Sequence, residues 1–249
     1  MPIMASKRTP RDKIFARKQR AVNDFNFGEK TAKVFDDMLD RSVPFYAEAQ
    51  RMISEIAADF ATEGTNVYDL GCSTGTTFLT LDPVVPKGVR FVGIDSSQAM
   101  LKEAREKLRN YKVTRKVELV HGDLNRGVTM SNASLAILNL TLQFIRPLNR
   151  PKLISSIAHG MNTGGCLVIF EKVLSRHALL NRLFIKYYYA FKERNGYSQM
   201  EISQKREALE NILIPFRIEE NMELLLNNGF RECEVFFKWY NFCGMLAIK

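Results

Sequence analysis

Short apolar runs recur between residues 67 and 170, and each stops at a polar residue or a glycine-containing loop. Val67-Tyr-Asp-Leu70, Arg90-Phe-Val-Gly-Ile94, Val117-Glu-Leu-Val120, Leu135-Ala-Ile-Leu138 and Cys166-Leu-Val-Ile-Phe170 have the length and side-chain character of buried strands. Helical spacing separates several of them, as in Ser97–Asn110 behind a serine cap and in Arg150–His159 before a turn rich in Asn and Gly. Strands alternating with helices predict an α/β domain with a mostly parallel sheet and helices on both faces. In such sheets a ligand lies beyond the carboxyl ends of the strands. Those ends carry Asp69, Asp95, Asp123, Asn139 and Glu171.

The flanks follow other patterns. Residues 29–60 are helical in spacing, interrupted at Ser42-Val-Pro44, where proline ends one helix and permits the next. Residues 174–215 break the alternation with two helical candidates, Leu179–Arg194 and Met200–Leu213, around Asn195-Gly-Tyr-Ser198. They predict a helical insertion covering the site, with Phe184, Tyr187, Tyr188, Tyr189 and Phe191 as a packing stripe. A helix at Ile218–Asn227 and two strands, Glu232–Lys238 and Phe242–Ile248, are predicted to close the chain. Its 249 residues suit one large domain, placed at residues 25–249.

Charge separates the first residues from the rest. Of a net charge of +9, six positive charges fall within residues 1–20, where seven Lys/Arg face only Asp12. Residues 1–24 therefore read as a basic, flexible tail, with direct nucleic-acid binding not expected of it. No apolar run approaches the roughly 20 residues that span a bilayer, and no apolar segment follows the basic start as in a secretory signal. Cys72, Cys166, Cys233 and Cys243 form no paired spacing and no cluster with histidine. Reduced thiols, a cytoplasmic location and no metal are expected.

Asp69-Leu-Gly-Cys-Ser-Thr-Gly75 is the strongest local signal. Two glycines after the first strand allow a tight turn and close backbone approach to a ligand. The spacing is neither G-x-G-x-x-G nor a phosphate loop ending in GK[ST]. It resembles the first motif of class I methyltransferases dependent on S-adenosyl-L-methionine (SAM), whose loop accommodates the methionine part of SAM. Asp95 ends the second strand about 20 residues beyond the loop, the spacing of an acid that binds a ribose diol. By the same resemblance Asp123 and Leu124 contact adenine, and Asn139 lies at the pocket floor. The fold expected is thus Rossmann-like and SAM-binding.

A narrower resemblance runs through most of residues 25–249. Arg41-Ser-Val-Pro44 with Tyr46, Val67 to Ser73, Gly93-Ile-Asp95 with Ala99-Met100, and Leu138-Asn139 with Thr141-Leu-Gln-Phe144 resemble carboxy-S-adenosyl-L-methionine synthases. So do Glu171-Lys172, Asn195-Gly-Tyr-Ser198, Glu201-Ile-Ser-Gln-Lys-Arg206, Leu209-Glu-Asn211 and Asn241-Phe242. The resemblance implies that SAM and prephenate yield carboxy-SAM, phenylpyruvate and water. The product then serves a tRNA uridine carboxymethyltransferase acting at the wobble position. It implies a homodimer, and SAM contacts from Tyr46, Gly71, Cys72, Ser73, Asp95, Ser96, Asp123, Leu124 and Asn139. Arg206 would bind the new carboxylate, its planar guanidinium suited to a bidentate pair. Whether it acts in its own or the neighbouring subunit stays open. Lys172, Lys192, Arg194 and Lys205 are unranked candidates for the remaining charge of prephenate. The motif residues alone also suit a SAM-dependent methyltransferase of a small molecule or RNA, or a non-catalytic SAM-binding module.

Overall fold

The computed structural model describes residues 10–249. Three helices come first: α1 (Glu29–Ala32), α2 (Phe35–Ser42) and α3 (Tyr46–Phe60). Then β1 (Asn66–Leu70), α4 (Thr76–Leu81), β2 (Arg90–Asp95), α5 (Gln98–Asn110), β3 (Val117–His121), β4 (Ala133–Asn139), α6 (Arg150–Gly160) and β5 (Met161–Leu174) build the alternating body. Helices α7 (Ala178–Arg194) and α8 (Gln199–Leu209) form the insertion. The chain closes with β6 (Phe216–Arg217), α9 (Ile218–Leu226), β7 (Glu232–Trp239) and β8 (Phe242–Ile248).

The sheet runs in the order β3-β2-β1-β4-β5-β8-β7, with β6 pairing separately with β5. Strands β1 to β5 are parallel, and β8 lies antiparallel between β5 and β7. Successive residues of β4 point to opposite faces. Leu135 and Ile137 join Ile53, Phe78 and Leu101 on one side, whereas Ala136 and Leu138 join Leu153, Ile157 and Leu225 on the other. Both faces are thus dry, which explains the near-continuous apolar runs. Each fully buried leucine, Leu135 for example, contributes about 1.5–3 kcal/mol. The chain winds outward from β1 in one direction through β2 and β3, and in the other from β4 to β5. A crevice opens at that reversal, beyond the carboxyl ends of β1 and β4.

Three expectations change. Residues 10–24 are not a flexible tail but are anchored to the body, while residues 1–9 lie outside the described chain. Phe15 and Phe25 are buried with Phe35, Met38, Met100 and Ala208. Gln204 donates to the carbonyls of Phe15 and Arg17 at 2.9 and 3.1 Å, and the Phe25 amide donates to the Ala208 carbonyl at 2.8 Å. Buried Asp12 accepts from the Tyr197 hydroxyl at 2.7 Å. Helix α8 stops at Leu209 rather than Leu213, because the amides of Ile212 and Leu213 turn back to the Leu209 carbonyl and that of Ile214 leaves for the Gln143 carbonyl. The Ile214 carbonyl is instead taken by Arg150 at 2.5 Å. Finally, β5 runs past Glu171 to Leu174. Glu171 is not a strand end facing a ligand. It is buried, and accepts the amides of Leu142 and Gln143 at 2.7 and 3.0 Å.

Candidate active site

A cavity of about 410 Å³ occupies the crevice, closed above by α7, α8 and the strap of residues 25–27. That volume is in the range of small-molecule sites. All ten candidate residues line it: Tyr46, Gly71, Cys72, Ser73, Asp95, Ser96, Asp123, Leu124, Asn139 and Arg206.

The loop after β1 is shaped by backbone geometry. Gly71 has φ +87°, and a Cβ there would lie 2.3 Å from the Thr141 hydroxyl. The amides of Gly71 and Cys72 both donate to the Ile94 carbonyl, at 2.7 and 3.1 Å, which ties the loop to the end of β2. Ser73, itself left-handed at φ 48°, donates its amide to Asp95 Oδ2 at 2.9 Å. Asp95 Oδ1 accepts from the Ser97 amide at 2.8 Å. One carboxylate thus joins the loop to the start of α5. Burial raises the Asp95 carboxyl above its usual range, and the Ser97 and Ser73 amides oppose that shift.

Other acidic and polar atoms await partners. Both carboxylate oxygens of Asp69 and the Oδ1 of Asn139 are buried without a hydrogen bond among the described residues. Burial raises the Asp69 carboxyl to about 7, the neighbouring Thr77 hydroxyl opposes this, and the Asp95 charge adds to it. An ammonium entering the cavity would supply what Asp69 lacks. Asp123 is half-exposed, accepts from the Asn125 amide at 2.9 Å, and stands beside buried Leu124. His121 is exposed and engages the Ser96 carbonyl at 2.9 Å, holding strand ends together. The Tyr46 hydroxyl accepts from Gln50 at 2.9 Å, and burial pushes it upward. Unpartnered Asp69, the Asp95 bridge, the Asp123–Leu124 pair and the cradle at Gly71 fit a ligand with an ammonium, a ribose diol and an adenine.

The opposite wall is cationic. Lys172 on β5, Lys192 on α7, and Lys205 with Arg206 on α8 all line the cavity. The Lys172 and Lys192 ammoniums lie 4.6 and 5.0 Å from the centre of the Tyr188 ring. Lys205 donates to the Ser42 hydroxyl at 3.2 Å and stands 4.0 Å from Asp12. Burial lowers Lys172 and Lys205 to about 8 each. Lys192 is held well below the ordinary lysine range, by burial first and then by the charges of Lys205 and Lys172. Arg206 is exposed and has no ion pair among the described residues. Arg194 is exposed and lies outside the cavity. Tyr188 and Tyr189, read as packing, also line the wall, whereas Phe184 and Tyr187 pack on Tyr240 with ring centres 5.4 and 4.9 Å away. Phe25 and Phe27 were missed as lining residues, and their only signal was an aromatic pair at the edge of the basic segment. Among the described residues no group of three or more His, Cys, Asp or Glu is placed to hold a metal, and no helix is long and apolar enough to cross a membrane.

Sheet order, loop and cavity define the class: an enzyme, a transferase that uses SAM on a Rossmann-like methyltransferase fold. A family model described as a methyltransferase domain matches residues 67–165. The fold is shared with human N-acetylserotonin methyltransferase, solved in complex with SAM, at a TM-score of 0.58 and 17% identity over 88% of this chain and 55% of that one. A carboxy-S-adenosyl-L-methionine synthase of Methylococcus capsulatus is 56% identical over 96% of this chain and 99% of its own length. One of Sulfurimonas denitrificans is 43% identical over 96% and 99%. The chain belongs to the carboxy-S-adenosyl-L-methionine synthase family.

Proposed function

We propose that this protein converts SAM and prephenate to carboxy-SAM, phenylpyruvate and water. The S-methyl carbon loses a proton and gains the carboxyl carbon of prephenate. Prephenate loses that carboxyl group and its ring hydroxide as it aromatises, and proton and hydroxide leave together as water. The leaving hydroxide takes the proton, so no protein base is required. The observation that carries this reading is the division of the cavity. Carboxylates at the ends of β1 to β3 suit the cationic and hydroxyl groups of SAM, and cations on β5, α7 and α8 suit a polycarboxylate co-substrate. A site that transferred a methyl group to a neutral acceptor would have no need of the second wall.

In this reading Asp95 holds the ribose diol, Asp123 and Leu124 the adenine, and the Gly71 loop with Asp69 and Asn139 the methionyl part. Arg206 grips the carboxylate on the transferred carbon, within a homodimer. Exposed Leu179, Leu180, Tyr187 and Tyr240 on and beside α7 give that dimer an apolar face. The product is the carboxymethyl donor for an enzyme modifying the wobble uridine of tRNA in the cytoplasm.

Mass spectrometry of the copurifying ligand and of the reaction mixture tests the proposal. A SAM species heavier by one carboxyl group, about 44 Da, is expected, formed only when prephenate is supplied. Arg206→Ala should keep SAM affinity and lose about 1.5–3 kcal/mol toward carboxy-SAM, the range for hydrogen bonds to a charged group, since the new carboxylate would lack its bidentate partner. Equal weakening for both ligands would remove Arg206 from that role. Methylated product without the heavier species would overturn the reaction.

A further inference from the structure

Four cations line one wall of the cavity, and the structure separates their duties. Arg206 stands at the exposed end of that wall. Lys205 is committed to Ser42 and Asp12. Lys172 and Lys192 have no hydrogen-bond or ion-pair partner among the described residues, although Lys192 is only 5% exposed. Both ammoniums lie against the ring of buried Tyr188, 4.6 and 5.0 Å from its centre, so they can be no more than 9.6 Å apart, and the Lys172 charge acts on Lys192. The groups facing them are Lys205 from α8, Asp12 from the amino-terminal segment, and Tyr188 and Tyr189 from α7. Asp12 is the one carboxylate of this set, and it already accepts from the Ile14 amide and the Tyr197 hydroxyl, at 3.1 and 2.7 Å. Positive charge here exceeds its compensation, and a buried charge without a partner is costly. An incoming anion removes that cost.

We propose that Lys172 and Lys192, seated on Tyr188, form a subsite for the carboxylate of the co-substrate that is not transferred. This rests on the reading of the cavity as the place where SAM meets a polycarboxylate. It divides the work between two sites: Arg206 holds the carboxyl group that moves to carbon, and the lysine pair holds the one that stays. A co-substrate lacking the second carboxylate would then enter without its anchor. The aromatic wall of Tyr188 and Tyr189 suits the six-membered ring of prephenate, whose one quaternary carbon carries both the carboxylate that leaves and the pyruvyl side chain that keeps the other.

Phenylpyruvate isolates the retained group, because it is the one carboxylate that this molecule carries. The probe is a calorimetric titration of the intact protein, saturated with S-adenosylhomocysteine, with phenylpyruvate. Lys172→Met and Lys192→Met should each weaken phenylpyruvate about 10- to 100-fold, the range for a hydrogen bond to a charged group. SAM affinity should stay within about twofold, and Lys192→Arg should recover part of the loss. The wild-type protein gives an independent readout. A bound carboxylate raises the lysines from their depressed range, so binding near pH 8–9 should take up protons, measured in buffers of different ionisation enthalpy. Affinity should fall as the pH rises above about 8. Unchanged phenylpyruvate affinity in both variants with no proton uptake would overturn the subsite, as would equal weakening of SAM. If the wild type makes no carboxy-SAM yet phenylpyruvate binding still depends on the lysines, the reaction assignment falls and the anion subsite stands. If carboxy-SAM forms with a prephenate KM indifferent to both lysines, the subsite alone falls.

Discussion

Asp95→Ala separates what a carboxylate does for the ligand from what it does for the protein. Each Asp95 oxygen already accepts one backbone amide, from Ser97 at 2.8 Å and Ser73 at 2.9 Å, and has one lone pair left for the cavity. Truncation frees both amides. Ser73 borders the cavity and Ser97 is partly exposed, so water reaches the freed amides, and the loss sits near the lower end of the range for an unsatisfied donor. That is about 1 kcal/mol each, or roughly 2 kcal/mol of stability. The lost contact with a ribose diol should weaken SAM by roughly 1.5–3 kcal/mol, about 10- to 150-fold in Kd. Asp95→Asn is no milder control, since its amide group would face one of the two N–H donors. The loop and ribose contributions are resolved by titrating both proteins with S-adenosylhomocysteine and with its 2′,3′-dideoxy analogue. A loosened Ser73 loop weakens both ligands alike. A diol contact is lost only for the ligand that has the diol. If wild type and variant discriminate the two ligands equally, Asp95 does not bind the ribose.

Gly71→Ala should cost about 1–2 kcal/mol for left-handed backbone alone, and its Cβ meets Thr141 Oγ1 at 2.3 Å. Thermal unfolding should show Thr141→Ala relieving part of that loss, and calorimetry should show SAM binding below detection in the single variant. Glu171, raised by burial to about 8 against 4.5 in the unfolded chain, binds a proton in the fold that the unfolded chain releases. Its contribution is therefore fully present below about 4.5 and is lost as the pH rises through about 8, so stability should decline across that interval, and less steeply in Glu171→Gln. Chemical denaturation at several pH values checks the slope, and parallel slopes would exclude the effect. Sedimentation at micromolar protein should give a dimer, and Leu180→Glu on the exposed face of α7 should give a monomer that still binds SAM.

The central sheet was legible because a strand buried on both faces leaves a strong local mark. Leu135 to Leu138 point alternately into two separate cores, and so read as an unbroken apolar run. The Ser97 cap was equally local, its hydroxyl accepting the Met100 amide at 3.2 Å. What escaped depends on distant partners. Glu171-Lys172 looked like the polar end of a strand, yet the carboxylate is satisfied by two amides from the turn after β4. Tyr188 looked like one more aromatic on a helix, and its contact with Lys172 exists only because the fold brings β5 to α7. The charge of residues 10–20 suggested solvent, but Asp12 and Phe15 find their partners 185 and 189 positions later.

That separation has a consequence for the order in which the molecule is made. Residues 10–27 leave the ribosome well before their docking surface on α8, some 170 or more positions later. Phe15 and Phe25 can meet Phe35, Met38 and Met100 early, but lack their cover from α8 until Ala208 has been made. Only when α8 arrives can Gln204 take the carbonyls of Phe15 and Arg17, and Ala208 the amide of Phe25. Contacts of such long span close slowly. The sheet can therefore assemble before the roof, and the newborn protein passes through a stage with its acidic floor in place and its cationic wall still loose.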